Sequence, residues 1–578
     1  MFDTLPNNAL DAIEWDKDQY APYFADLITR EVNSDTIDQW LADWTLLSKL
    51  VEEVSVRIQI ATAQNTADKE AEARFRGFMA NIFPMAMTYD NQLNQKLLAS
   101  KLEPDGMAIP LRNIRADAEL FREENLPLMT EESNLGLEVD KITGSQTVEW
   151  EGAELTLQQL GRVFGDPERA KREKAWRLMA DRQLQDRAAL NELWVKYMDI
   201  RGKVAENADM PDFRAYAWKG RKRFDYSTED AMTFHRAIED VVVPATKRIY
   251  DRRRERLDVE TLRPWDIGGG LEFHHPKVDP LGRDSLRPFT DFKAFEDTLQ
   301  TVFNKVDPSL GAYFKMMRDE NSMDIENRNN KHGGAFCAPL SLSKRPFVFG
   351  NATGTDEDIR MMFHECGHAF HAFESFALPY FHQLSYPTEF AEVASMSMEL
   401  LAAPYLLASE GGFYTPEEAA QSRVDHLEKI ATFWPFMAVM DAFQHWVYTH
   451  LDQAMDPDNC DDKWGELWDR FIPSIDYSGV DDFRVTGWHR KLHIFQSPFY
   501  YIEYGLAELG AVQVWANALK DQAQAVKDYR KALALGGTAS IPDLFSAAGV
   551  KFAFDSATLG EAIDLIERTI DSLEKQFN

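Results

Sequence analysis

Strand-like alternation occupies only two short stretches of this 578-residue chain, and that scarcity limits its fold more than any other feature. From Ala21 to Met85 prolines occur only at Pro22 and Pro84, while apolar residues recur at three and four (Trp40, Trp44, Leu47, Leu50), which predicts long helices. A break falls near Glu103 to Pro110. Leu135 to Thr156 then alternates (Leu137, Val139, Ile142, Val148, Trp150) around Thr143-Gly144-Ser145 and predicts a small hairpin. Asp166-Pro167-Glu168 combines an N-cap, a proline at the first helical position and an acid for the helix dipole, predicting a helix to about Arg201. Ser227 to Asp258 predicts another, capped by Ser227 with Asp230, its Arg252-Arg253-Arg254 run expected on a solvated end. The Gly- and Pro-rich stretch from Leu262 to Asp291 reads as a long loop or boundary. Its Gly268-Gly269-Gly270 lacks the spacing and lysine of a phosphate loop, which excludes nucleotide binding there. Gly333 to Gly350 is the second strand-like stretch, two apolar runs flanking Ser343-Lys344 as a hairpin. The remainder is helical, so the expected class is mainly α with a small β-sheet.

Charge and cysteines narrow the setting. A net charge of −32 disfavours nucleic acid and anionic membrane surfaces as partners. The N-terminal residues show no basic-then-apolar leader, and the longest apolar stretches, Ala431 to Met440 and Leu400 to Ala408, fall far short of the ~20 residues a membrane helix needs. Cys337, Cys366 and Cys460 are scattered and odd in number, so free thiols and a cytoplasmic location are expected.

His364-Glu365-Cys366-Gly367-His368 fits the pattern H-E-x-x-H within a helix expected from about Asp356 to Ser375. Histidines at i and i+4 project from one helical face about 5–6 Å apart, a separation from which both imidazoles reach one tetrahedral zinc ion. Glu365 lies about 100° round the helix from His364, suited to act as base and not as ligand. Cys366 points away from the shared face. A catalytic zinc usually takes three protein ligands, so a third must come from elsewhere. Glu374 is disfavoured by its helical angle. A helix expected after Tyr386-Pro387-Thr388 carries Glu389, Glu392 and Glu399, and spacing does not choose among them.

With Val348-Phe349-Gly350-Asn351, the run His364 to His371, and Ala391-Glu392-Val393-Ala394-Ser395 followed by Glu399, the chain resembles the thimet oligopeptidase and oligoendopeptidase F family of zinc peptidases, closest to the second branch. The resemblance is strong from about Leu262 onward and looser before it. It implies an elongated helical zincin-type molecule with a deep substrate channel, an N-terminal helical domain over residues 1–200 and a catalytic domain over 201–578. It also implies Glu392 as third zinc ligand beside His364 and His368, and Glu365 as the group that activates water. His493 to Tyr504 is similar to the family's substrate-binding segment, which implies Tyr504 and His493 as donors to the oxyanion; Tyr501, one turn before Tyr504 on the same face, is expected to reach into the cleft with it and bind substrate, and Tyr500 to lie in the core. Gly334 and Ala335 would form a strand edge that pairs with peptide backbone. His371 is expected in a supporting or core role, Ser395 or Glu399 behind a zinc histidine, and His274, His275, His445 and His450 as structural.

The function expected is hydrolysis of internal bonds in short unstructured peptides, with one zinc ion as cofactor. A peptidase trimming dipeptides, with Arg484 or Arg490 anchoring the terminal carboxylate, is the alternative within the same chemistry. A noncatalytic peptide-binding protein is disfavoured, because Glu365 is needed only for hydrolysis.

Overall fold

The computed structural model describes residues 1–268 and 278–575; Gly269, Gly270, His274 and His275 lie outside them. The fold is mainly α, with a two-stranded and a three-stranded sheet among the described residues. Compactness groups the chain into two discontinuous units and not at a cut near residue 200. One comprises residues 1–118, 286–419 and 507–552, the other residues 119–285, 420–506 and 553–578.

In the first unit the N-terminal periodicity gives helices Lys17–Thr29, Ile37–Gln64 and Phe83–Ser100. Trp40, Trp44, Leu47 and Leu50 enter one buried cluster with Phe24, Leu27, Leu93 and Leu97. A three-stranded sheet follows, β3 (Met323–Glu326), β4 (Phe336–Leu340) and β5 (Arg345–Ala352), in the order β3-β5-β4. β4 runs antiparallel to β5 and β3 parallel to it, so β4 is an edge strand. The β4–β5 turn is the expected one, with Lys344 at φ 55°. Residues alternate between the faces. Phe336, Ala338 and Leu340 pack with Phe347 and Phe349 against Val56 and Ile60 of Ile37–Gln64, each large side chain so buried adding about 1.5–3 kcal/mol. That helix also grips the turn, since the buried Glu53 carboxylate accepts from Ser343 N–H (2.8 Å) and Oγ (2.9 Å). The opposite face of β4 and β5 meets the helix Asp356–Ser375.

The second unit holds helices Arg169–Leu184, Arg187–Asn207, Pro457–Phe471 and Ser556–Glu574, and most of Pro416–Thr449. Several expectations are corrected here. Leu137, Val139 and Ile142 belong to a helix, Asn125–Gly144, that Gly144 closes. The hairpin is shorter, β1 (Thr147–Trp150) and β2 (Ala153–Thr156), turning on Glu151 and Gly152 at φ 51° and 82°. The helix after Asp166-Pro167-Glu168 breaks at residues 185–186. Ser227 and Asp230 form the expected capping box, but the helix they open passes through a π-turn, Ile238–Val242, just before Pro244. Phe78–Ile82 precedes Pro84 in the same way, the wider turn absorbing a ring that blocks ordinary helical pairing. Arg253 is not solvated: it is buried and donates to the Asp266 carbonyl (3.3 Å). No described helix is long and apolar enough to cross a membrane.

Candidate metal centre

The helix Asp356–Ser375 has the expected bounds. Its start is fixed by the Asp358 carboxylate, which accepts from the N–H groups of Thr353, Gly354 and Thr355 at 2.7–2.8 Å. Gly354 sits at φ +95° with the Phe289 carbonyl 2.7 Å from where a Cβ would stand, so this turn requires glycine. The second helix, Thr388–Ala402, lies against the first so closely that a Cβ on Gly367 would be 2.5 Å from Ser395 Cα and 2.7 Å from the Ala394 carbonyl. The glycine inside the five-residue motif is therefore what lets the two backbones meet.

That approach brings Glu392 to the histidines. Its Oε2 lies 3.3 Å from His364 Nε2 and 3.7 Å from His368 Nε2. Among the described residues His364, His368 and Glu392 alone form a group of three potential metal ligands, all within 4.8 Å of one another. Such separations fit a tetrahedral zinc, whose ligand atoms at about 2.0–2.1 Å stand about 3.3 Å apart. Of the carboxylates left open by sequence, Glu399 accepts at 2.8 Å from His364 Nδ1, which turns Nε2 toward Glu392. Ser395 donates to Glu392 Oε2 (2.9 Å) and does not reach a histidine. Glu374 is held by Arg530 Nε at 2.8 Å, and Glu389 is buried outside the group.

Electrostatics set Glu365 apart from the three candidate ligands. Burial pushes Glu365 up to about 7 against the pull of His364, the residue as a whole being only 7% exposed. Burial lowers His368 to about 4, whereas the carboxylates of Glu392 and Glu399 outweigh burial at His364 and hold it well above the ordinary histidine value. Cys366 is fully buried, its thiol pushed up by burial. His371 is also in the core, its ring stacked on Tyr386 at 3.6 Å.

Gly334 and Ala335 are exposed and precede the paired part of β4. The tyrosine segment belongs to the second unit and is irregular. Leu492–Gln496 is one short helix and Tyr501–Ala518 the next; between them Phe499 is fully buried at φ 64°. Its N–H donates to Gln444 Oε1 (2.5 Å) and its carbonyl accepts from Arg223. Arg221 donates to the Pro498 carbonyl (2.7 Å), and both arginines pair with the buried Glu503 Oε1 at 3.0 and 2.7 Å. Tyr500 is not a core residue: half-buried, it meets the Tyr504 hydroxyl at 3.1 Å. Tyr501 is the packed ring, buried among Phe433, Phe436 and His493. The Tyr500 ring stacks on His493 and lies under the Arg221 guanidinium, just ahead of the helix that begins at Tyr501.

The sequence matches Peptidase family M3 over residues 164–562. The chain belongs to that family. It is 23% identical over 420 residues to an oligoendopeptidase F homolog of Borreliella burgdorferi, covering 69% of this chain and 66% of that protein. With the chromosomal oligoendopeptidase F of Lactococcus lactis subsp. cremoris it shares 24% over 355 residues, covering 58% of this chain and 52% of the other, so the chain spans less than two thirds of these relatives' length. Among solved structures, PZ peptidase A with inhibitor 2 superposes with a TM-score of 0.83 at 24% identity over 99% of each chain. A protein designated an oligoendopeptidase F superposes at 0.85 and 25%, over 99% of this chain and 98% of that one. The resemblance drawn from the spaced motifs is borne out, and so is the mainly helical class.

Sequence reasoning on this M3 chain passed over three features. Gly367 is legible only once the second helix is in place. The Asn351 carboxamide donates to the carbonyls of His332 (2.8 Å) and Gly334 (2.7 Å), bonds no spacing rule points to. His445, expected to be structural, shares the buried Asp441 carboxylate with His235, at 3.2 and 2.8 Å.

Proposed function

We propose that this chain is a zinc-dependent endopeptidase that hydrolyses internal bonds of short unstructured peptides. The observation that carries the reading is the convergence of His364, His368 and Glu392 beside a buried Glu365 whose proton affinity is raised into the neutral range. His364 Nε2, His368 Nε2 and a Glu392 oxygen would hold one zinc ion. When bound, it supplies Lewis acidity toward the scissile carbonyl and the attacking water. Glu365 takes the proton from that water and delivers it to the leaving nitrogen, a task suited to a carboxyl poised near neutrality. Glu399 fixes the His364 ring, and Ser395 orients the Glu392 carboxylate. Tyr504 and His493 are proposed as donors to the developing oxyanion, on the likeness of their segment to the family's. Tyr501 packs beneath that segment. The exposed backbone at Gly334 and Ala335, continuous with edge strand β4, is proposed to align the peptide by strand addition. Three free cysteines favour a reducing compartment, and cytoplasmic action on peptides, with neither nucleic acid nor membrane as partner, belongs to the same proposal.

The test is cleavage of an internally quenched peptide blocked at both ends, with and without a zinc chelator, with products identified by mass. Chelator-sensitive internal cleavage is expected. Failure of zinc-loaded protein to cut it, with cleavage of the unblocked peptide near one end, would replace the endopeptidase by the terminal-trimming alternative.

A further inference from the structure

The β4–β5 ladder stops at the pair Phe336 and Phe349, yet β5 runs on to Ala352, where it pairs with β3. On the β4 side of that overhang lies the glycine-rich approach, residues 332–335, with no main-chain partner in β5. The Asn351 side chain takes the ladder's place. One Nδ2 donates to both the His332 and the Gly334 carbonyls, two residues apart, which sets the path of the chain between them. Gly334 lies at φ +88°, and no atom stands within 4 Å of a Cβ built on Gly333 or Gly334, so the outer side of this backbone is open to another chain. The same loop is anchored to the end of Ile37–Gln64 and the residues after it, His332 N–H donating to the Ala63 carbonyl (2.8 Å) and Thr66 N–H to that of Asn330 (2.7 Å). In the other direction, Asn351 is joined to the zinc-motif helix by the three-residue turn that Asp358 holds.

We propose that Asn351 is a positioning residue that sets the register of bound peptide relative to the metal centre. The inference rests on the reading of Gly334 and Ala335 as the peptide-aligning edge. An extended peptide advances about 3.3 Å per residue, so a displacement of that edge by a few ångströms is enough to bring a neighbouring bond to the metal. Asn351 therefore acts on which bond is cut and on how tightly long peptides are held, while the groups that move protons are untouched.

The experiment compares N351D and N351A with the wild type and with A335P, on a blocked ten-residue peptide with products resolved by mass; melting and bound zinc are followed in parallel. Asp has the shape of Asn but offers a carboxylate to two carbonyl oxygens. A positioning role predicts that N351D raises KM about tenfold, with kcat within about twofold of wild type, and spreads cleavage over adjacent bonds, N351A doing so more weakly. A packing role predicts the reverse order, with N351D like wild type, and that result would overturn the inference. Should N351D lose its zinc or its cooperative melting, N351A decides: unchanged KM together with an unchanged cleavage site rejects the role. A335P separates the two layers. If A335P is without effect, the strand-edge reading fails first; if A335P raises KM and the Asn351 variants do not, only the positioning role fails.

Discussion

The histidine motif and the tyrosine segment are built in opposite ways. His364, His368, Glu392 and Glu399 stand on two regular helices, their placement following from helical spacing and one close approach at Gly367. Tyr500 and Tyr504 follow an irregular joint, where Phe499 occupies the left-handed region and two arginines and a glutamine capture the backbone. Regular helices transmit geometry through their own hydrogen bonds, whereas an irregular joint needs side chains brought from elsewhere in the chain. The first kind of site can be read from spacing; the second becomes visible only after folding.

E365Q keeps the shape of the motif and all three ligands, so it should bind zinc as the wild type does while kcat falls by about 10³-fold or more, a loss on the scale of removing a group that acts only in the transition state. Metal analysis beside steady-state kinetics checks this, and full activity with zinc retained would remove Glu365 from its role. In the tyrosine segment, R223M leaves the buried Glu503 without one of its two arginines and should lower stability by about 3–5 kcal/mol, read from denaturant midpoints. F499G relieves the left-handed strain at the same joint at the expense of a buried ring, so its loss should stay below that of the about 3–5 kcal/mol expected for a simple phenylalanine deletion in a core. For the regular site the matching test is G367A. A Cβ meeting backbone at 2.5 and 2.7 Å must spread the two helices, costing about 1–3 kcal/mol and weakening zinc binding, which melting with and without added zinc will show.

The smallest effect concerns pH. Burial, with help from Lys491 and Arg221, lowers His493 from 6.5 to about 4. A histidine depressed in the folded state binds its proton more readily when unfolded. Its contribution to stability is therefore complete above pH 6.5 and is lost as pH falls through 6.5 toward 4. H493Q should flatten unfolding free energy across that window by about 1 kcal/mol, the small size reflecting partial exposure of the ring. An unchanged pH profile would show that solvent reaches this imidazole.

Much of the architecture was legible because it rests on local rules. The limits of Asp356–Ser375, the start of the helix at Thr388, the Ser227 cap and the turn at Ser343-Lys344 all follow from spacing and turn chemistry. The misreadings share a cause. Apolar alternation in Leu135 to Thr156 is shared by a half-buried helix and a strand, so spacing alone does not divide them. Arg253 was expected in water because a basic run usually is; carbonyls from distant segments fold over it instead.

By itself the sequence determined the helical class, the two histidines on one face and Glu365 about 100° round the helix from His364, since each depends on residues within one or two turns. Tertiary structure decided which carboxylate lies beside the two histidines, why position 367 is glycine, which tyrosine is buried and what Asn351 holds. Those depend on backbones far apart in the chain meeting within hydrogen-bonding distance, and no local periodicity encodes that distance.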